Sequence, residues 1–199
     1  MTGNSHDVAA LLGSRICHDL ISPLGAISNG VELLAMAGED LGPEMALISE
    51  SIDNANARIR YFRLAYGAAS AEQMSGASEI RSILAAVTRG TRLRIDWLPD
   101  GNQPRSEAKL AFLLLQCFET AMPWGGQIDV GCENGRWTVT GQADRMKINA
   151  RLWEVLSRPD LQPEIGAAEV QFLMVPLLLR EAGRTLMLDL SETRVTARF

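Results

Sequence analysis

The chain has 199 residues, 47% of them apolar, and a formal net charge of −5. It is long enough for one or two packed cores and ill suited to nonspecific nucleic-acid binding. No apolar run is long enough to span a membrane, and residues 1–7 carry no basic-plus-apolar signal pattern. Cys17, Cys117 and Cys132 lack the spacing of a disulfide framework or a zinc site, so free thiols in a reducing cytoplasm are expected.

The first predicted element is a long helix over residues 7–37. With His18 set at zero and about 100° per residue, Ile16, Leu20, Ile27, Val31 and Leu34 fall on the opposite side, spaced like a bundle seam. His18 is therefore presented outward. Ser14, Ser22 and Gly25 lie within about 40° of it, all small enough to let a partner surface approach the imidazole. Asp19 stands beside the histidine and Arg15 one turn below it. Pro23 removes the amide that would bond the carbonyl of Asp19, so a bend or loosening is expected there. A surface helix can carry a histidine for no reason, but the acid beside it and the mid-helix proline cost stability without an evident return, which points to function.

Residues 38–43 supply a glycine stop and a proline start. In the next helix Met45, Ile48, Ile52, Ala55, Ile59, Phe62 and Tyr66 recur at alternating steps of three and four, a heptad seam. Two such helices joined by a short turn make an antiparallel hairpin, with much of its apolar surface left wet. Pairing of two copies into a four-helix bundle covers that surface; packing on the chain's own C-terminal part is the alternative. Folding back about Asp40 sets Arg60 and Arg63 beside His18, either as a basic collar with Arg15 or as ordinary surface charges.

Residues 67–77 are small and polar and read as a linker. Beyond them come a helix over 78–87, a strand over 93–97 and a strongly apolar helix over 106–121. A hairpin of strands 127–130 and 137–140 follows, around Asn134-Gly135, a favoured turn pair. A helix over about 167–182 and strands 185–190 and 194–199 close the chain. This order predicts an α+β protein in three parts. Residues 1–68 form the helical hairpin, 69–77 the linker, and 78–199 an α/β sandwich with helices on one face of a mixed sheet.

The stretch His18-Asp19-Leu20-Ile21-Ser22-Pro23-Leu24 resembles the phosphoacceptor box of two-component histidine kinases. Its chemistry suits a nucleophile for phosphoryl transfer, because imidazole titrates near neutral pH and Asp19 is placed to hold one ring nitrogen. The order of elements after the linker resembles the ATP-binding domain of the same kinases, with its chemistry worn away. Gln116 and Thr120 stand where that family places metal-binding asparagines. Residues 141–146 lack the glycines of the adenine motif, and the second glycine-rich lid is reduced to Ile165-Gly166-Ala167-Ala168-Glu169. No phosphate cradle remains, so ATP binding is not expected.

An acceptor hairpin joined to a degenerate kinase-like domain resembles the ChpT-type histidine phosphotransferases of bacterial phosphorelays. Ala121-Met122-Pro123-Trp124-Gly125-Gly126 and Val170-Gln171-Phe172-Leu173 add to the likeness. The resemblance implies a cytoplasmic homodimer that takes a phosphoryl group from the receiver domain of a hybrid histidine kinase and passes it to response-regulator receivers. It implies that His18 is the acceptor, Asp19 its acid neighbour, and Ser22 and Pro23 the end of the motif. It also implies that Mg2+ comes from the receiver and that this chain binds no cofactor. Receiver sites are ringed by carboxylates in this picture, which a collar of Arg15, Arg60 and Arg63 near Ser14 and Gly25 would attract. A noncatalytic dimeric adaptor or kinase inhibitor, and less readily an ATP-dependent kinase, are the competing readings.

Overall fold

The computed structural model describes residues 3–37, 42–70, 72–158, 161 and 165–199. Side chains are described from residue 12 onward, apart from those of 14, 17, 35, 37 and 42–44. The expected turn at 38–41 therefore lies outside the described residues, as do the side chains of Ser14 and Cys17.

Helix α1 spans Gly3–Ala37 and α2 spans Gly42–Tyr66. They run antiparallel, since Asp19 and Arg58, at similar distances from the connection, meet as an ion pair. The backbone stays helical across Pro23. The pyrrolidine ring is buried on the face that also carries Asp19, Ala26 and Gly30.

The predicted α2 seam divides in two. Ile48, Ala55 and Phe62, seven residues apart, are buried together with Ser51, while Met45, Ile52 and Ile59, equally seven apart, are 49%, 44% and 49% exposed. On α1, Leu24 and Val31 are likewise exposed. A heptad pattern fixes which positions are apolar, but not which neighbour covers each. One stripe faces α1, and the other stays open in the single chain.

The last turns of α2 also pack against the following α/β part. Tyr61, Phe62, Leu64 and Ala65 join the core of the following α/β part, while Arg63 between them stays exposed. The Tyr61 hydroxyl donates to the Phe112 carbonyl at 3.1 Å. Burial raises the Tyr61 phenol well above its ordinary pKa.

Next come β1 (Met74–Gly76), α3 (Ala77–Val87), β2 (Leu93–Trp97), β3 (Asn102–Pro104), α4 (Arg105–Ala121), β4 (Gly126–Glu133) and β5 (Arg136–Gln142). The chain closes with α5 (Ala150–Ser157), a 3-10 turn (Ala167–Glu169), α6 (Gln171–Glu181), β6 (Met187–Leu190) and β7 (Arg194–Arg198). A five-stranded sheet has the order β2-β4-β5-β7-β6, with β2 parallel to β4 and the other pairs antiparallel. The mixed sheet of the sequence reading is present. The β4–β5 turn takes the left-handed backbone at Asn134 (φ 51°) and Gly135 (φ 74°) that the Asn-Gly pair favours.

Alternation on β5 turns Trp137 and Val139 inward onto the helices, where Phe112, Phe118, Trp153 and Phe172 fill the core. Gly141 lets α4 press close to the sheet, because a Cβ there would lie 2.8 Å from the Phe118 ring. Among the described residues no helix is long and apolar enough to cross a membrane.

Three local expectations change. Within the expected linker, Met74–Gly76 pairs antiparallel with Asn102–Pro104, and the Ser75 side chain is buried. Three-residue strands carry no periodicity to read. Helix α5 had not been foreseen, although Asn149 caps it by accepting from the Arg151 amide and its Leu152, Trp153, Val155 and Leu156 are buried. The single helix expected over 167–182 is a 3-10 turn followed by α6.

Candidate functional site

On α1 the inward face is occupied by Asp19, Pro23 and Gly30, which leaves His18, Ser22 and Gly25 on the outward side. The His18 side chain is 85% exposed, whereas that of Asp19 is 11% exposed. Adjacent residues on a helix do not normally face each other. Here Asp19 is turned inward enough to be gripped from below, yet one oxygen still reaches the imidazole. Asp19 Oδ1 lies 3.1 Å from His18 Nδ1. Its Oδ2 accepts from Arg15 Nε at 2.9 Å and lies 3.7 Å from Arg58. With two guanidiniums compensating it, the largely buried carboxylate is held at fixed orientation. Nδ1 is thereby engaged and Nε2 faces solvent.

Arg15 has a second task. It also donates to the carbonyl of Ala168 in the 3-10 turn, tying the hairpin to the remnant of the predicted lid. Gly25 has no packing role in this chain, since a Cβ added there would meet nothing within 4 Å. The space beside the histidine is open.

The arginine that α2 brings to the acid is Arg58, not Arg60 or Arg63. Counting back from the turn gives the level along the helix, but the buried stripe Ile48, Ser51, Ala55, Phe62 gives its rotation, and Arg58 lies on that stripe. Arg63 instead stands 3.7 Å from Glu79 of α3. Arg60 is half-buried and makes no ion pair among the described residues.

Beneath the histidine a cavity of about 180 Å3 lies where α1, α2 and α4 meet, lined among others by Asp19, Arg58, Tyr61, Gln116 and Glu119. Gln116, in the position expected of a phosphate-cradle asparagine, is buried and its Oε1 accepts from the Tyr66 hydroxyl. Burial pushes the Tyr66 phenol up to about 12. Glu119 and Arg58 were both missed in the sequence. The stripe spacing on α2 contained the signal for Arg58. For Glu119 there was none, because its character comes from tertiary burial.

Burial pushes the Glu119 carboxyl up to about 7, with Arg15 and Arg58 opposing the shift and Asp19 adding to it. The folded state thus holds this proton more tightly than the unfolded chain. Glu119 contributes stability that is complete below pH 4.5 and is lost as pH rises through 7. Glu119→Gln is expected to flatten the fall in Tm between about pH 5 and 8. Superimposable Tm–pH curves for the two proteins would contradict this.

Residues 77–194 match the family model of the histidine phosphotransferase C-terminal domain. The chain is 35% identical over 191 residues to protein phosphotransferase ChpT of Brucella abortus (strain 2308), spanning 92% of this chain and 90% of that protein. It is also similar to a bacterial phosphotransferase solved at 1.7 Å, with a TM-score of 0.82 and 31% identity over 100% of this chain and 98% of that one.

Proposed function

The chain belongs to the ChpT-type histidine phosphotransferases, and from that premise we propose that His18 carries the phosphoryl group between receiver-domain aspartates of a phosphorelay. One observation supports this above the others. His18 is 85% exposed at its side chain, with Nδ1 held by Asp19. With the carboxylate accepting from Nδ1–H, the lone pair lies on Nε2, facing the partner.

In the forward step Nε2 attacks phosphorus, the N–P bond forms, and the P–O bond to the receiver's aspartate breaks. That aspartate leaves as a carboxylate. The imidazole ring, still protonated at Nδ1, becomes positively charged, and the fixed charge of Asp19 stabilises it without reorganisation. The reverse sequence delivers the group to a second receiver. Mg2+ would be held by the receiver, where it would supply neutralising charge at the phosphoryl oxygens. Ser22 and Gly25 leave room for that surface, and Pro23 closes the motif from the buried side.

The receiver of a hybrid histidine kinase is the donor in this reading, and response-regulator receivers are the acceptors. A homodimer is supported by the open stripe Leu24, Val31, Met45, Ile52 and Ile59. A second copy packing there would complete a four-helix bundle. Arg15 and Arg58 are the cations that hold the Asp19 carboxylate beside the imidazole.

The discriminating experiment offers two donors. A phosphorylated receiver domain with Mg2+ is expected to label the protein, and the label should be acid-labile and base-stable. Mg2+ and γ-labelled ATP should give no label, because Gln116 is committed to Tyr66. Labelling from ATP alone would favour a kinase, and no labelling from either donor would favour the adaptor.

A further inference from the structure

A cavity of about 770 Å3 lies away from His18, at one end of the open sheet face. It is lined by Arg92, Arg94, Arg145 and Arg194, with Asp144 the single carboxylate among its lining residues. Three positive charges are therefore in excess there, on a chain whose net charge is −5. Among the described residues none of the four guanidiniums has an ion-pair or hydrogen-bond partner. Arg145 lies over the Trp124 ring, 3.7 Å from its centroid, which presents a flat cationic surface to the cavity. Like charges gathered in a concave site repel one another more than on an open surface, and among the described residues no ion pair of these four arginines offsets the cost.

The backbone builds the site. Strand register aligns Arg94 with Gln127, Gln127 with Gln142, and Gln142 with Arg194. One rung across four strands thus places an arginine at each end, about 14 Å apart at the backbone, with two carboxamides between. Gln127 also donates to Asp96 and Asp129 of the next rung, 2.8 Å to each, so those carboxylates are tied down beside the cavity. Gly125 and Gly126 form the wall at φ 98° and 143°, and a Cβ on Gly125 would run into the Arg92 carbonyl at 2.4 Å. Only glycine lets the backbone at this turn pass so close to Arg92.

We infer that this cavity is a binding site for a small polyanion bearing several phosphate groups. Volume and concavity fit a small ligand, falling within the roughly 300–1,000 Å3 of small-molecule sites. Planar guanidiniums that present paired N–H donors favour phosphate oxygens. The site is distinct from the phosphoacceptor: on the β2 entry Arg92 and Arg94 face this cavity, while Thr91 and Leu93 line the one beneath His18.

Calorimetric titration of the full chain with inorganic tripolyphosphate, without divalent metal, tests this. Saturable binding is expected, weakening as salt rises. The Arg94→Ala/Arg194→Ala protein should bind at least tenfold more weakly. Arg136→Ala, at the far end of β5, and His18→Ala should bind as wild type. A parallel titration followed by tryptophan fluorescence reports on Trp124, which is 44% exposed while Trp97, Trp137 and Trp153 are buried. Its response should disappear in Trp124→Phe, a variant that keeps all four arginines. Absence of binding at millimolar tripolyphosphate would overturn the inference, as would equal weakening by Arg136→Ala.

Discussion

Replacing His18 by alanine is expected to abolish phosphoryl uptake from a phosphorylated receiver while leaving the fold and oligomeric state intact. The imidazole is exposed and, among the described residues, bonds only to its neighbour Asp19. Its loss should therefore shift stability by no more than about 0.5 kcal/mol. Labelling should drop to background. Asp19→Asn keeps the shape but removes the charge that orients Nδ1 and offsets the developing cation. It should slow transfer by about 10²–10⁴-fold, the range for losing a positioned proton-handling partner, and should leave Arg15 and Arg58 without their ion-pair partner. Undiminished relay by the His18→Ala protein would end the phosphotransfer reading in favour of an adaptor.

Ile52→Asp is expected to convert a dimer into a monomer that still folds. Ile52 is 44% exposed within the chain, so the aspartate can stay solvated in the monomer. In a symmetric bundle each copy buries its own Ile52, and the substitution counts twice. At roughly 2 kcal/mol for each lost isoleucine contact, dimerisation weakens by about 10³-fold, before the cost of burying the carboxylates is added. Light scattering should give twice the chain mass for the wild type and the chain mass for the variant, with matching far-UV circular dichroism. A wild-type monomer at micromolar concentration would show that the open stripe has another occupant.

The legibility of this chain follows the range of the interactions involved. His18 and Asp19 were readable because helix rotation is a local property: one angle per residue sets His18 opposite Ile16 and Leu20. The Asn134-Gly135 turn was readable because left-handed backbone selects its own residues. The division of the α2 seam was not, because Ile48 and Ile52 are equally apolar and only the neighbouring surfaces tell them apart. Counting residues from the turn set Arg60 and Arg63 level with His18, but the buried stripe rotates Arg58 toward Asp19 instead. Glu119 and the Met74–Gly76 strand depend on partners far along the chain, Arg15 and Asp19 for one and Asn102–Pro104 for the other. Nothing local marks either.

Mass-spectrometric mapping of the phosphorylated residue bears most directly on the role of His18. The wild-type protein, labelled by a phosphorylated receiver and digested at alkaline pH to preserve phosphohistidine, should carry the phosphoryl group on His18. A phosphoryl group found on any other residue, or a fully relay-competent protein with His18 unmodified throughout, would contradict the mechanism.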